Sequence, residues 1–314
     1  MRLRPYDDHR QVAQTDSSRA DMNHSIFPPN TLPNLPPNFS SLLIQGPYPP
    51  SAPIHLCLSH LQSGPKSNKP VLISPSSKHL VSQLEGYNDA WLHKHAMDGA
   101  VAEDLHQIDI FYPQTHKHLR LLLARLRTYS TPSSEADTKT CITRVPTLLI
   151  LHELSEYFLV GDDPELPTLS TYMQLVIDAI ACLTFLGKSS EAAIRSRLVL
   201  FDTNLVNLTL PFFQPVLLSE INQVPTNRKV RTIEGLKKVI GWIGTVERVD
   251  EIPSSQADET ELVLASPTEV EKEHYRFTLG STTSAETDVV HWYSFRDLGP
   301  GPFSAIRTTR VRFG

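Results

Sequence analysis

Apolar positions along the chain fall into short unbroken runs that alternate with stretches of helical spacing. "SSLLIQG" (residues 40–46) is the first run, and its length and closing glycine predict a buried strand. "IHLCLSHLQS" (54–63) alternates too irregularly for a strand and predicts a helix entered through Pro53, since proline is well tolerated at a first helical position. "KPVLISP" and "QIDIFYP" predict two more strands. Between them "SSKHLVSQLEGY" sets Leu80, Val81 and Leu84 at helical spacing. "THKHLRLLLARLR" places Leu119, Leu122, Leu123 and Leu126 on one helical face. "VPTLLILHEL" gives the clearest buried strand, a long apolar helix ends near Gly187, and "RSRLVLFDTN" gives another strand. Strands alternating with helices predict an α/β fold with a mainly parallel sheet.

The two ends differ from this middle. Residues 1–37 are polar and proline-rich, with no periodicity, and are expected to form a disordered arm. The α/β core is expected over 38–224, with "TYSTPSSEADTKT" as a loop or insertion within it. Over 225–314 the runs "GTVERVD", "TELVLAS", "HYRFTLGS", "VVHWYSFRD" and "FSAIRTTRVRFG" predict short strands, read as an antiparallel extension of the same domain. No internal repeat is visible.

Composition narrows the picture modestly. A hydrophobic fraction of 40% supplies a core, and a formal net charge of -5 excludes a strongly basic nucleic-acid binder as a whole, though not a local basic patch. Cys57, Cys141 and Cys182 form no C-x-x-C pair, which is the usage of a reducing intracellular compartment. No apolar stretch follows the first arginines, so no secretory signal is expected. "TYMQLVIDAIACLTFLG" has the length of a membrane span but carries Gln174 and Asp178, which makes it a core helix; no membrane partner is expected.

The turn after the first strand carries the main chemical question. Gly46 opens the spacing of a phosphate-binding loop, G-x-x-x-x-G-K-[ST], but Ser51, Ala52 and Pro53 stand where the second glycine, the lysine and the hydroxyl residue belong. Such a loop works through converging backbone N–H groups, a lysine and a magnesium-binding hydroxyl. Proline has no N–H, so Pro49, Pro50 and Pro53 each delete a donor. The strand ending in aspartate that accompanies such loops is present as "TLLILHEL", with His152 at the aspartate position. Glu153 next to it reads as an N-cap or a solvated turn. These losses predict no cofactor, with ATP and magnesium both deprived of their contacts.

Other chemistry is thinner. His93 with His95, and His116 with His118, form H-x-H pairs without a further ligand at metal spacing, and Cys57 with His55 and His60 points in diverging helical directions. Asp202 and Asn204 follow a strand end, where open α/β sheets place functional groups. The basic groups Arg195 and Arg197, and Arg228, Lys229 and Arg231 with Lys237 and Lys238 beyond, are candidate DNA contacts, with a solvated charged face as the plain alternative. Arg307, Arg310 and Arg312 lie near aromatics, a pairing suited to single strands.

Taken in order, these pieces resemble the SWIM-domain-associated RecA-like family, divergent paralogues of RecA-type recombinases found in Shu complexes. The resemblance lies in "IDIFYPQTHKHLRLLLARLR", in "PTLLILHELSEYFLVGDDPE" with Leu154, Glu156 and Tyr157, in "YMQLVIDAIACLTFLG" and in "VVHWYSFRD", spanning roughly residues 40 to 300. It implies a RecA-like P-loop NTPase fold whose nucleotide motifs are degenerate. It also implies a nuclear accessory role in homologous recombination, with a SWIM-domain protein, a RecA-type recombinase and single-stranded DNA as partners. Some members of that family hydrolyse ATP; the departures at Ser51, Ala52, Pro53 and His152 remove that inference here. Two alternatives remain open, an active ATPase with a nonstandard loop and a purely protein-binding scaffold.

Overall fold

The computed structural model describes residues 24–28, 34–65, 67–128, 141–142, 144–159, 168–188, 196–212, 229–249, 270–283, 287–297 and 304–313. In chain order the elements begin with β1 (Ser41–Gln45), α1 (Ala52–Gln62), β2 (Pro70–Ile73), α2 (Ser77–Tyr87), α3 (Ala90–His95), α4 (Gly99–His106), β3 (Asp109–Phe111) and α5 (His116–Arg125). The two-residue strands β4 (Arg127–Thr128) and β5 (Cys141–Ile142) precede β6 (Leu148–His152), α6 (Glu156–Leu159), α7 (Leu169–Lys188) and β7 (Arg197–Asp202). The chain continues with β8 (Thr209–Pro211), β9 (Lys229–Arg231), α8 (Thr232–Leu236), β10 (Trp242–Arg248), β11 (Val270–Ser281), β12 (Thr287–Asp297) and β13 (Ser304–Phe313).

Nine of these strands form one sheet in the order β13-β12-β11-β10-β1-β7-β6-β2-β3. From β10 to β3 every pairing is parallel. From β10 outward through β11, β12 and β13 every pairing is antiparallel. The central strands β1, β2, β6 and β7 are buried at every position, because helices cover both faces; they therefore read as continuous apolar runs and not as alternation.

Two core layers result. On one face Leu42 and Ile44 of β1 pack with Leu56 and Leu58 of α1, joined by Leu80 of α2 and by Trp91, Leu92, Val101 and Leu105 of α3 and α4. On the other, Leu43, Leu198 and Leu200 pack with Leu119 and Leu122 of α5 and Tyr172 and Leu175 of α7. The chain leaves β1 toward the first layer and β7 toward the second. Such a reversal between neighbouring strands opens a crevice at their carboxyl ends, where sheets of this kind place ligands.

Three expectations need correction. The arm is not wholly detached: Ile26 and Phe27 are fully buried, Leu35 is buried, and the Ser25 amide donates to Ser59 Oγ at 2.8 Å. Two apolar residues among prolines were enough to anchor it, and the proline count hid them. The rest of residues 1–33 lies outside the described residues. Second, β10, expected in the antiparallel extension, runs parallel to β1 and belongs to the core sheet, so the antiparallel part starts at β11. Third, 88–107 forms helices α3 and α4, where Asp89 caps α3 by accepting from the Leu92 amide. The expected strand over "TELVLAS" and most of the expected loop "TYSTPSSEADTKT" lie outside the described residues.

Candidate functional site

The crevice is built from the turn after β1, the end of β6 and the end of β7. Gly46 has φ +91, a conformation glycine adopts freely, and a Cβ there would lie 2.0 Å from the Val246 carbonyl oxygen of β10. The turn then folds tightly, with the Tyr48 amide donating to the Gly46 carbonyl at 2.8 Å and the Ala52 amide to the Pro49 carbonyl at 2.8 Å. Backbone donors that a phosphate would need are here turned inward or absent at proline.

Tyr48 occupies the middle of this turn and is 5% exposed. Its ring packs against Phe201 of β7 (centroids 5.1 Å apart) and His152 of β6 (6.3 Å), and its hydroxyl donates to Glu153 Oε1. The side chain thus bridges the gap between the turn and the end of β6, the space a phosphate and its cation would need.

Glu153 is 1% exposed and has φ +53, a left-handed conformation that costs a non-glycine residue free energy. The Glu153 amide donates to the Phe201 carbonyl at 2.7 Å, and the carboxylate accepts from the Thr203 hydroxyl at 2.9 Å and the Thr203 amide at 3.2 Å. Burial, and then the charge of Asp202, push its carboxyl up to about 7, against the lowering effect of the Tyr48 and Thr203 hydrogen bonds. Asp202 accepts from the Ser155 amide at 2.9 Å and the Tyr172 hydroxyl at 3.0 Å, and burial raises its carboxyl as well. His152 contacts Ser74 Oγ through Nδ1 at 3.2 Å, while its Nε2 lies 4.0 Å from Glu153 Oε1; burial lowers the imidazole to about 3, which keeps it neutral.

Behind the turn, Ser51 and Asp89 close the start of α1. Ser51 Oγ donates to Asp89 Oδ2 at 2.6 Å, and His55 Nε2 meets the same oxygen at 2.9 Å. Burial raises the Asp89 carboxyl, but hydrogen bonds from His55, Ser51 and the Leu92 amide outweigh it and hold the carboxyl below its ordinary range. Serine, histidine and aspartate meet here without a nucleophile–base contact, because both partners bond the aspartate and are sealed from solvent.

The degenerate-loop residues Gly46, Ser51, Ala52, Pro53 and His152 are therefore brought together, but as packed interior. Ser51 and Ala52 are fully buried, Pro53 sits at the start of α1, and His152 is 1% exposed. The sequence pointed to Asp202 but missed Tyr48, and it took Glu153 for a turn residue. An aromatic inside a proline-rich turn was the available signal for Tyr48.

The DNA candidates fare unevenly. Arg197 is 8% exposed at the amino end of β7, away from the crevice; its guanidinium donates to the Pro37 carbonyl at 3.1 Å and lies over the Phe39 ring. That corrects its expected role, since it holds the chain before β1. Lys229 and Arg231 are exposed on β9, which pairs with β8 shortly after Asp202. Arg195 and Arg228 lie outside the described residues. Lys237 pairs with Glu234 at 3.0 Å. Cys57 is buried, with its thiol pushed up by burial, and among the described residues no group of three or more His, Cys, Asp or Glu is placed to hold a metal.

No family model matches the chain, and no curated protein matches it. Among solved structures, it is similar to an ATPase domain determined by itself, with a TM-score of 0.38 and 9% identity over 81% of each chain. It is also similar to a DnaB-like replicative helicase, determined with its interactions with primase, at TM-score 0.36 and 10% identity. There the match covers 80% of this chain and 54% of the helicase. The sheet itself, with its strand order and the direction of each pairing, has the fold class read from the sequence, RecA-like α/β with an antiparallel extension.

One prediction follows from the turn. Tyr48→Phe leaves a buried carboxylate short of a donor and should destabilise the protein by about 1–3 kcal/mol near pH 8. The loss should shrink near pH 5.5, where Glu153 is protonated. Urea unfolding at the two pH values reads this directly; equal losses at both would detach the hydroxyl from the Glu153 charge.

Proposed function

We propose that this chain is a non-hydrolysing RecA-like accessory factor in homologous recombination, acting in the nucleus with a SWIM-domain partner, a RecA-type recombinase and single-stranded DNA. The observation that supports the non-hydrolysing half is the Tyr48–Glu153 bridge across the crevice, together with a neutral His152 at the strand end. The recombination setting rests on the resemblance of the quoted segments.

Calorimetric titration with ATP and magnesium tests the first half, and the expected result is no saturable heat at ligand concentrations on the order of 1 mM. Ala52→Lys alone should not restore binding, because the missing amides stay missing. Micromolar affinity in the wild-type chain would overturn the reading in favour of a working nucleotide site. For DNA, the exposed Lys229 and Arg231 are the groups to remove. The double alanine variant should lower the single-strand salt slope by about 1.4, at roughly 0.7 per phosphate contact. An unchanged slope would clear this strand of DNA contact. Co-expression with a SWIM-domain protein should raise soluble yield and melting temperature together.

A further inference from the structure

Helices α5 and α7 lie side by side over the second core layer, and their outer surface is unlike that of an ordinary covering helix. An amphipathic helix turns polar residues outward. On α7 the outward positions Ile177, Ala181 and Phe185 recur at intervals of four, with Ile177 44% and Phe185 54% exposed. On α5, Leu121 is 51% exposed beside them. Between the helices runs a groove of about 660 Å³ whose floor includes Leu121, Leu123, Ala124, Ala181, Cys182 and Phe185. Large apolar side chains gathered into one concave strip mark a contact site, whereas scattered ones do not.

The rim has one sign. α5 carries Lys117, Arg120 and Arg125 and no acidic residue. Asp178 of α7 is occupied by Arg120 Nε at 3.2 Å and by Gln174 Nε2 at 2.7 Å. We propose that this groove is a docking site for an amphipathic helix of a partner protein, with an apolar stripe that seats on Leu121, Ala181 and Phe185 and acidic residues that meet Lys117, Arg120 and Arg125. A groove between two helices has the shape for a third, read through anchors at i, i+3, i+4 and i+7. The floor is aliphatic apart from Phe185, which suits leucine side chains better than bases, whose binding needs successive aromatic platforms. The site lies on a helical face and not at the crevice, so it stands whatever the crevice does.

The test uses the full chain and a labelled helical peptide of about 16 residues, leucine at the four anchor positions and glutamate on the flanks. The comparison probes are the same peptide with lysine for glutamate, and a labelled oligo-dT. Fluorescence anisotropy should show the glutamate peptide binding at least about tenfold more tightly than the lysine peptide. Leu121→Ser and Phe185→Ser should each weaken it about tenfold, with little change in melting, since both side chains are half exposed. The double variant Lys117→Glu with Arg125→Glu should reverse the preference between peptides; these positions are exposed, so this variant decides the matter even if a serine variant fails to fold. Equal binding of the two peptides, or an affinity indifferent to Leu121→Ser, would overturn the proposal. So would oligo-dT binding that Phe185→Ser abolishes while peptide affinity holds, which would make the groove a nucleic-acid site. A concentration-dependent dimer lost in Leu121→Ser would overturn it in favour of a second copy of this chain.

Discussion

Lowering the pH from about 7 to about 5 should destabilise this protein by roughly 3 kcal/mol, a large part of the stability of an ordinary domain. Three buried histidines carry the effect. Burial, and then the Arg197 charge, lower His24 to about 4; burial, and then His24 and Arg197, lower His60 to about 3; His152 is also lowered to about 3. In the unfolded chain each titrates near 6.5, so below that value the unfolded state binds protons that the folded state refuses. Stability from these groups is present above 6.5 and is lost as the pH falls toward the folded values. Each contributes close to 2 kcal/mol of loss over this interval, at about 1.4 kcal/mol per pH unit. Glu153 opposes them: its carboxyl stands near 7 when folded and 4.5 in its ordinary state, so its contribution grows as the pH falls, by about 2 kcal/mol. Asp202 acts in the same sense as Glu153. The histidines win by number.

Geometry agrees with the direction. Neither ring nitrogen of His24 has a hydrogen-bond partner, and His60 uses only Nε2, toward Thr147 Oγ1 at 2.6 Å. Their ring centroids lie 5.1 Å apart, so charging one would oppose charging the other. Urea unfolding at a series of pH values should give a slope that falls by about one proton in His60→Gln. A flat profile between pH 7 and 5 would mean that these imidazoles are reached by solvent.

The parallel core was legible because strands buried on both faces leave continuous apolar runs, as in "LLILH" and "RLVLFD". Their order in the sheet was not, since β10 and β1 are separated by about two hundred residues and nothing local tells Trp242–Arg248 to run parallel to Ser41–Gln45. The buried arm was hidden for a similar reason. Ile26 and Phe27 are anchored by α1, through Ser59 and the surrounding apolar residues, and a long-range contact leaves no periodicity in a five-residue segment.

The site was half legible. Loss of the lysine, the hydroxyl and the aspartate could be read position by position from Ala52, Pro53 and His152. What replaced them could not, because the Tyr48–Glu153 bond joins residues 105 apart and the Glu153 backbone conformation is set by Phe201 and Thr203 on another strand. Arg197 shows the converse error: a basic residue beside a strand looked available, yet its guanidinium is used to fix Pro37 and Phe39.

Gly46→Ala should be the most damaging single methyl added to this crevice, at about 2–5 kcal/mol, or a melting temperature lower by roughly 5–15 °C. Two separate costs make up the figure. The residue has φ +91, outside the regions open to alanine, and that alone costs about 1–2 kcal/mol. The new Cβ would also stand 2.0 Å from the Val246 carbonyl oxygen and 3.0 Å from its carbon, both backbone atoms of a strand paired to β1. A flexible side chain could swing away; a strand fixed between β1 and β11 moves only by opening its own ladder. Gly46 therefore serves the approach of β10 to the turn, whatever its ancestry as the first glycine of a phosphate loop. The same substitution separates the two roles. In a working loop it would cost nucleotide affinity along with stability, and ATP would raise the melting temperature of the wild type. Here the melting temperature of the wild type should be indifferent to ATP and magnesium, and Gly46→Ala should lower it equally with or without them. A wild-type chain stabilised by ATP, with the gain abolished in Gly46→Ala, would return this turn to nucleotide binding and overturn the non-hydrolysing reading at its base.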